Sequence, residues 1–365
     1  MRKIKKYLLT IALVLVGLVG LGVLNTQDVQ ATSGGYTIKP VGDNTDNLNI
    51  DNGSYVITGD PGQTVDLKLM VLNQENKARN FLYEVNTAYT SDGGTLSYDK
   101  SKVTDPSLKI QTKNTATPQK SAFKVPANTN ATITFKITIP KKSFDGYIMG
   151  GVTVTPYKEK AKGTVAANGT LLKNKFSYSV PIQIHQNGRK TVDAKYSIRS
   201  VSPATVMNGK PGVGVKANIH NSTNSYTGAL SSKAVVTQKG NKDFKVTVKA
   251  DSQSIAPTSN YNYAISWGKH KLQSGNYHLK LTLKTEGGIK SWVLNKDFTI
   301  TNNDAAKYNK LAGIKPNYLW LYILLAILAL AIILGLGIYL GRRKNNNNGN
   351  NNGNNGSTPT RRRRR

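Results

Sequence analysis

The stretch Thr132-Ile-Thr-Phe-Lys-Ile-Thr-Ile139 alternates strictly between polar and apolar side chains. All of its apolar residues therefore fall on one face of an extended chain, and they are Ile133, Phe135, Ile137 and Ile139. Period-two alternation is typical of a β-strand with one buried face and one face in water. The stretch therefore predicts a sheet that packs a core on one side only.

Similar segments lie on both sides of this stretch. They cover residues 65–72, 176–184, 244–249 and 277–283. Turn-forming residues separate them, at positions 60–62, 91–94, 145–146, 208–209, 274–276 and 286–288. Short strands and turns without helical crossovers predict an all-β chain with two immunoglobulin-like antiparallel β-sandwich domains.

The two domains are placed at residues 36–188 and 190–302, and each is long enough to form its own core. Residues 158–170, near the boundary, are mostly small or polar. Two interpretations of this segment remain open, because it is either a linker or a long hairpin loop of the first domain. The boundary is therefore least defined between residues 157 and 190.

The N-terminus has the three regions of a secretory signal peptide, which we place at residues 1–31. Basic residues precede an apolar segment at 8–24, and Val29-Gln-Ala31 resembles a cleavage site. This pattern predicts cleavage after Ala31. An uncleaved N-terminal anchor helix is the alternative, and the polar residues 25–30 favour cleavage.

A second apolar segment, residues 318–340, contains no charged residue. At about 1.5 Å per residue it is long enough to cross a hydrocarbon core of about 30 Å. We therefore predict one C-terminal transmembrane helix, whose membrane-interface residues are Tyr318, Trp320, Tyr322, Tyr339, Arg342, Arg343 and Lys344.

The basic residues after this span place the C-terminus in the cytoplasm by the positive-inside rule. Residues 303–317 are then a juxtamembrane linker, and residues 341–365 are a disordered basic cytoplasmic tail. No LPxTG-like sorting motif precedes the span. We therefore expect a single-pass protein of the cell membrane, whose ectodomain stays anchored there and faces the cell wall.

The whole chain has a net charge of +31, with 50 basic and 19 acidic residues. Such a charge suggests nucleic-acid binding. However, four basic residues and the acidic Asp28 belong to the signal peptide, and eight basic residues follow the span, which leaves about +20 between them. Nearly all of these bases are lysines, and lysine is a hydrated point charge suited to diffuse attraction. We therefore expect peptidoglycan or anionic wall polymers as partners, and no nucleic acid.

No catalytic motif is recognisable in the sequence. The absence of cysteine excludes disulfides, thiolate metal sites and a cysteine nucleophile. Asp43, Asp46 and Asp51 lack the spacing of a calcium loop, and we expect Trp267 and Trp292 in the core or between sheets. We therefore predict no enzyme, no catalytic or metal-binding residue and no cofactor. The alternative is a cell-envelope glycan or peptide hydrolase, which would need paired carboxylates in a cleft.

Several short motifs resemble the WxL-interacting proteins of Gram-positive bacteria. In the first domain they include Gly59-Asp-Pro-Gly-Gln63 and Asp145-Gly-Tyr-Ile-Met-Gly-Gly-Val152. In the second they include Ile255-Ala-Pro-Thr-Ser-Asn260, Gly275-Asn-Tyr-His-Leu279 and Phe298-Thr-Ile-Thr301. Each motif is short, and the resemblance becomes specific through their order within an exported, membrane-anchored chain.

The resemblance implies binding functions for the two domains. The first domain of the family is associated with peptidoglycan, the second with host extracellular-matrix proteins, and members associate with WxL-domain surface proteins at the cell wall. Residues 36–188 would then engage the wall, and residues 190–302 would engage a partner or a host protein. No individual binding residue is carried over from the family, and the binding residues are unknown.

Overall fold

The protein is described here from a computed structural model, which covers residues 34–159, 163–165, 171–173, 176–208, 210–268, 270–315 and 318–347. The chain divides into two compact units, residues 1–308 and 309–365. The predicted signal peptide, with Ala31, lies outside the described residues, as does the tail beyond residue 347.

The first sandwich is built from two main antiparallel sheets. Its strands are β1 (Tyr36–Val41), β2 (Leu48–Asn49), β3 (Tyr55–Gly59), β4 (Thr64–Asn73), β5 (Arg79–Thr87), β6 (Tyr89–Thr90), β7 (Leu96–Ser97), β8 (Ala116–Thr117), β9 (Lys120–Val125), β10 (Asn130–Thr138), β11 (Ile148–Pro156), β12 (Gly163–Val165), β13 (Leu171–Lys173) and β14 (Tyr178–Gln186). One sheet has the order β1-β4-β10-β8 and the other β2-β3-β14-β11-β5-β9. Only the β3–β14 pair of these sheets is parallel.

The second sandwich is also built from two sheets. Its strands are β15 (Tyr196–Asn208), β16 (Lys210–Asn221), β17 (Thr227–Gln238), β18 (Asn241–Ile255), β19 (Ser259–Ser266), β20 (Gly275–Lys284) and β21 (Ser291–Ile300). The sheet orders are β15-β16-β19 and β18-β17-β20-β21. The predicted fold class, two immunoglobulin-like antiparallel sandwiches, is confirmed.

The core of the first sandwich follows the alternation of the Thr132–Ile139 stretch. Residues 132–138 of the stretch lie on strand β10. Phe135 and Ile137, and Ile139 just beyond the strand, are buried, whereas Ile133 is partly buried against the core. Phe135 pairs in register with Leu67 of β4, and the buried apolar side chains of both sheets form one cluster. Burying the apolar face of each strand supplies the main driving force for this packing.

The core of the second sandwich centres on Trp267, which is 1% exposed. Its ring lies 5.9 Å from the ring of Tyr277 and 5.7 Å from that of Phe244. Trp292 is only half-buried, and its indole Nε1 donates to the Ala194 carbonyl at 3.1 Å. The two tryptophans therefore differ, with one in the core and the other at the edge of a sheet.

The segment around residues 158–170 lies between two neighbouring strands of one sheet. Strands β11 and β14 pair with each other, and β12 pairs with β13 between them in the chain. The described parts of this segment, β12 and β13, therefore form a two-stranded hairpin that lies between β11 and β14 in the chain.

Two helices follow the sandwiches. Helix α1 (Asn302–Leu311) begins after a capping box, in which Thr301 Oγ1 accepts from the Asp304 amide and the Asp304 carboxylate accepts from the Thr301 amide. The segment described above as a linker thus begins with a helix. Helix α2 (Leu319–Asn347) contains a stretch, Leu319–Arg342, that is long and apolar enough to cross a membrane. This helix also continues past residue 340.

Candidate functional site

The motif Asp145–Val152 holds the 88–118 segment of the first sandwich in place. A Cβ added to Gly151 would lie 2.6 Å from the ring of Tyr98, and one added to Gly150 would lie 2.6 Å from Thr112. Consecutive strand residues face opposite sides of a sheet. The two glycines therefore let side chains pack directly on the β11 backbone from both faces.

The same motif contacts the second sandwich through its turn. The Gly146 amide donates to the Lys190 carbonyl, and the Tyr147 amide donates to the Asn224 carbonyl, both at 2.7 Å. Gly146 has φ of +76°, and an added Cβ would overlap the carbonyl oxygen of Asn224. Only glycine can adopt this positive φ and also leave room for the Asn224 carbonyl without strain.

The motif Ile255–Asn260 of the second sandwich meets the first sandwich at β6. The Thr90 hydroxyl accepts from the Ala256 amide at 2.9 Å and lies 3.1 Å from the Ser259 hydroxyl. The Ser254 amide donates to the Gly94 carbonyl at 2.8 Å. Motifs from both domains therefore lie at one junction, which we call the inter-sandwich junction.

The centre of this junction is the carboxylate of Asp105, whose side chain is completely buried. It accepts hydrogen bonds from four side chains and from one amide in the first sandwich. The donors are the Ser107 hydroxyl (2.6 Å) and amide (2.8 Å), Asn260 Nδ2 (2.6 Å), His220 Nε2 (3.1 Å) and the Arg199 guanidinium (3.0 and 3.3 Å). Arg199, His220 and Asn260 belong to the second sandwich, so one buried charge ties the two together.

Charge states at this junction follow from burial and hydrogen bonding. Burial by itself would raise the pKa of Asp105, but hydrogen bonds from Ser107, Asn260 and Arg199 hold the pKa of this carboxyl well below its usual range. Burial lowers the pKa of His220, and the positive charge of Arg199 lowers it further. Together they outweigh the Asp105 carboxylate, which raises this pKa. The imidazole is therefore neutral near pH 7, and its contact with Asp105 is a hydrogen bond.

A second carboxylate, Asp92, joins the sandwiches nearer the surface. It accepts from the Asn262 amide at 3.0 Å and from Lys216 Nζ at 3.3 Å. Burial would raise the pKa of Asp92, but these hydrogen bonds outweigh burial and leave the pKa lowered. The Asp92 contact therefore reinforces the one at Asp105.

A shallow open cleft lies beside Asp105, with a volume of about 360 Å³. Its lining consists of Val103, Thr104, Asp105, Pro106, Leu108 and Gln111. The Asp105 carboxylate is already satisfied by protein donors, so it has little capacity left for a ligand. Within the described ranges, no group of three or more His, Asp or Glu side chains is placed to hold a metal ion.

The predicted membrane-interface residues lie at or near the ends of the apolar stretch of α2. Tyr318 precedes the helix, and the exposed side chains within it are Trp320, Tyr322, Tyr339 and Arg342. Arg343 and Lys344 also belong to the helix, but their side chains lie outside the described part of the chain. Their placement at a membrane interface stays a prediction.

Sequence reasoning missed three residues of the inter-sandwich junction, Asp105, Arg199 and His220, whereas Asn260 lies in a motif quoted above. Asp105 and His220 are 115 residues apart in the chain, and neither lies in a recognisable motif. The only sequence signal was the pair of family motifs, whose backbone contacts surround the junction. A single sequence has no local pattern that pairs residues so far apart.

Two family models match this chain. The peptidoglycan-binding domain of WxL Interacting Protein matches residues 36–156, and the host-binding domain of WxL Interacting Protein matches residues 167–310. Together they cover most of the chain, in the order that the sequence motifs predict. The host-binding model begins before β14, although that strand pairs within the first sandwich.

Solved structures with similar folds include bacterial fimbrial chaperones. A chaperone–tip adhesin complex of CFA/I fimbriae biogenesis has 13% identity and a TM-score of 0.28, with 71% of this chain and 98% of that chain covered. The class 5 fimbriae chaperone CfaA has 16% identity and a TM-score of 0.27, with coverages of 70% and 100%. The Pseudomonas aeruginosa CupB2 chaperone has 13% identity and a TM-score of 0.25, with coverages of 67% and 97%. Such low scores support no functional argument. Among curated proteins, none matches.

Proposed function

Because this chain belongs to the family of WxL-interacting proteins, we propose that it binds peptidoglycan as a non-enzymatic, membrane-anchored protein of the cell surface. The observation that carries this proposal is the match of a peptidoglycan-binding and a host-binding model, in that order, along one β-rich chain. Both matched domains are binding domains, and a binding role needs no cofactor.

We propose that the two sandwiches bind different partners. Residues 36–188 would bind peptidoglycan, and residues 190–302 would bind WxL-domain surface proteins or a host extracellular-matrix protein. The family match supports wall and host partners, whereas the family name alone suggests the WxL-domain partner. The inter-sandwich junction would hold the two binding regions in a fixed mutual orientation, because its buried charge network resists bending.

The apolar helix α2 is proposed to anchor the protein in the cell membrane. It has the length and hydropathy for one span. The basic residues that follow favour a cytoplasmic C-terminus, which would leave both sandwiches outside and facing the wall.

Co-sedimentation of the full chain, held in nonionic detergent, with purified peptidoglycan tests the proposal. We expect retention with peptidoglycan at physiological salt, and no retention of a heat-denatured sample. Absence of retention at both low and physiological salt would contradict wall binding. Release of soluble glycan or peptide fragments would instead indicate a hydrolase.

A further inference from the structure

Four exposed lysines cluster on the outer face of the β18-β17-β20-β21 sheet. They are Lys233 on β17, Lys249 on β18, and Lys280 and Lys284 on β20. We call this cluster the lysine face. The opposite side of the same sheet is apolar and buried, as at Ala234 and Leu281. The cluster therefore belongs to the solvent side of a rigid sheet and not to a loop.

The strand register brings these four charges close together. Lys233 lies directly opposite Lys249 on one side and opposite Thr282 on the other. Lys280 and Lys284 are therefore the two diagonal neighbours of Lys233 on β20. Directly opposed residues have Cβ atoms about 5 Å apart and diagonal ones about 7 Å apart, and like charges in such positions repel.

No ion pair among the described residues relieves this repulsion. In the described part of the chain, none of the four lysines forms an ion pair, whereas Asp297 on β21 pairs with Lys239 at 2.7 Å and with His278 at 2.6 Å. The remaining charged groups on this face are Lys245, Asp243 and Asp251, all on β18. Asp251 lies two residues from Lys249 on the same strand, so the face carries an excess of positive charge in which none of the four lysines is held in an ion pair.

Protection of a sheet edge explains only part of the cluster. Lysines on an edge strand prevent strand pairing with other chains, and Lys249 lies on the edge strand β18. Lys233, Lys280 and Lys284 lie on the interior strands β17 and β20, which are already paired on both sides. Another reason is needed for three of the four lysines.

We propose that the lysine face binds a linear polymer of phosphodiester groups in the cell wall. Lysine binds phosphate as a point charge without a fixed geometry, which suits a flexible polymer. Residues four apart on a strand are separated by about 13 Å, so Lys280 and Lys284 can contact different phosphate groups of one polymer chain. The proposal rests on the proposed function, because it needs the second sandwich outside the cell.

The test uses the full chain in nonionic detergent and end-labelled poly(glycerol phosphate) as the probe, with binding followed by fluorescence anisotropy. In the face variant, Lys233, Lys249, Lys280 and Lys284 are all changed to glutamine. We expect it to bind the polymer at least about tenfold more weakly than wild type at low salt. The affinity of wild type for the polymer should also fall more steeply with added salt than that of the face variant, because salt screens the four exposed charges.

A matched control variant removes the same charge from the first sandwich. It changes four exposed lysines to glutamine, and these are Lys39, Lys120, Lys124 and Lys141. We expect this variant to bind within about twofold of wild type, since the net charge is equal in both variants. Equal losses in the two variants would show diffuse attraction by net charge and would overturn the proposal, as would unchanged binding by the face variant.

Two further arms separate this proposal from its alternatives. If phosphatidylglycerol mixed into the detergent micelles displaces the polymer from wild type, the face would be assigned to a membrane and the proposal would be overturned. Peptidoglycan stripped of phosphate polymers should retain wild type and face variant equally. Stripped peptidoglycan could retain neither wild type nor the face variant, while the polymer still binds wild type more tightly than the face variant. That result would contradict peptidoglycan binding and would still support polymer binding by the lysine face.

Discussion

Asp105 shows how a single residue joins the two sandwiches. Its carboxylate is buried, and three of the side chains that donate to it come from the second sandwich. Burying a charge costs free energy unless the charge is fully hydrogen-bonded. Here every donor lies within hydrogen-bonding distance of an Asp105 carboxylate oxygen. The negative charge therefore specifies one docking geometry for the two sandwiches.

Replacement of Asp105 by alanine should weaken the junction. The change leaves Arg199 and Asn260 without their acceptor, and we expect a loss of about 2–4 kcal/mol in the free energy of unfolding. Urea unfolding of the chain in detergent measures it. The control is Asp66→Ala, which removes an exposed pair with Lys136 at 3.8 Å and should cost less than about 1 kcal/mol. Equal effects of the two changes would contradict a structural role for Asp105.

His220 should make the stability depend on pH below neutrality. Its pKa is lowered in the folded state, so the unfolded chain, with a pKa near about 6.5, takes up the proton first. Stability is then complete above about pH 6.5 and falls as the pH decreases below it. Unfolding midpoints between pH 5 and 8 should show this loss in wild type and not in His220→Gln. The same slope in both proteins would assign the loss to other groups.

Asp105 also makes the protein less stable as the pH falls, but it does so in a lower pH range than His220. Its pKa is lowered in the folded state, so its contribution is present above the unfolded value of about 3.9 and is lost as the pH falls further. Both groups therefore make the folded protein less stable in acid, His220 first and Asp105 at lower pH.

At the scale of secondary structure, the strand β11 and its preceding turn organise the first sandwich. Gly150 and Gly151 admit side chains from opposite faces of the strand, and Gly146 admits the backbone of the second sandwich. These contacts explain why one short motif contains three glycines. They also show that strand alternation alone does not describe β11, whose residues are buried on both faces except for Thr155.

The substitution Gly146→Ala, compared with a control glycine, distinguishes two costs. One is the cost of a side chain at positive φ, and the other is the cost of a Cβ that overlaps Asn224. We expect the substitution to cost about 2–4 kcal/mol, because alanine disfavours a positive φ and its Cβ overlaps Asn224. Gly53→Ala is the matched control, since Gly53 has φ of +68° with open space around it, and should cost about 1 kcal/mol. Thermal unfolding of both variants measures the difference, and equal costs would mean that docking on Asn224 contributes nothing.

At the scale of the whole molecule, membrane topology decides which surfaces can meet the wall. The sequence contains no cysteine, so a single introduced cysteine can be labelled without background. Ser101 is exposed on the first sandwich, and Ser357 lies in the predicted cytoplasmic tail.

Labelling of intact cells with a membrane-impermeant maleimide should distinguish the two positions. We expect Ser101→Cys to be labelled in intact cells and Ser357→Cys only after permeabilisation, because the basic residues after the span favour the cytoplasmic side. The reverse pattern would invert the topology and remove the lysine face from the wall.

The amino-acid sequence by itself determined the strands, the apolar span and the family, because these depend on local periodicity, run length and short motifs. The Thr132–Ile139 stretch is a clear case, since alternation alone placed Phe135 and Ile137 in the core. Only the tertiary structure decided the junction at Asp105 and the grouping of the lysine face. Both depend on register and docking between distant segments, where the energy comes from contacts that no local pattern encodes.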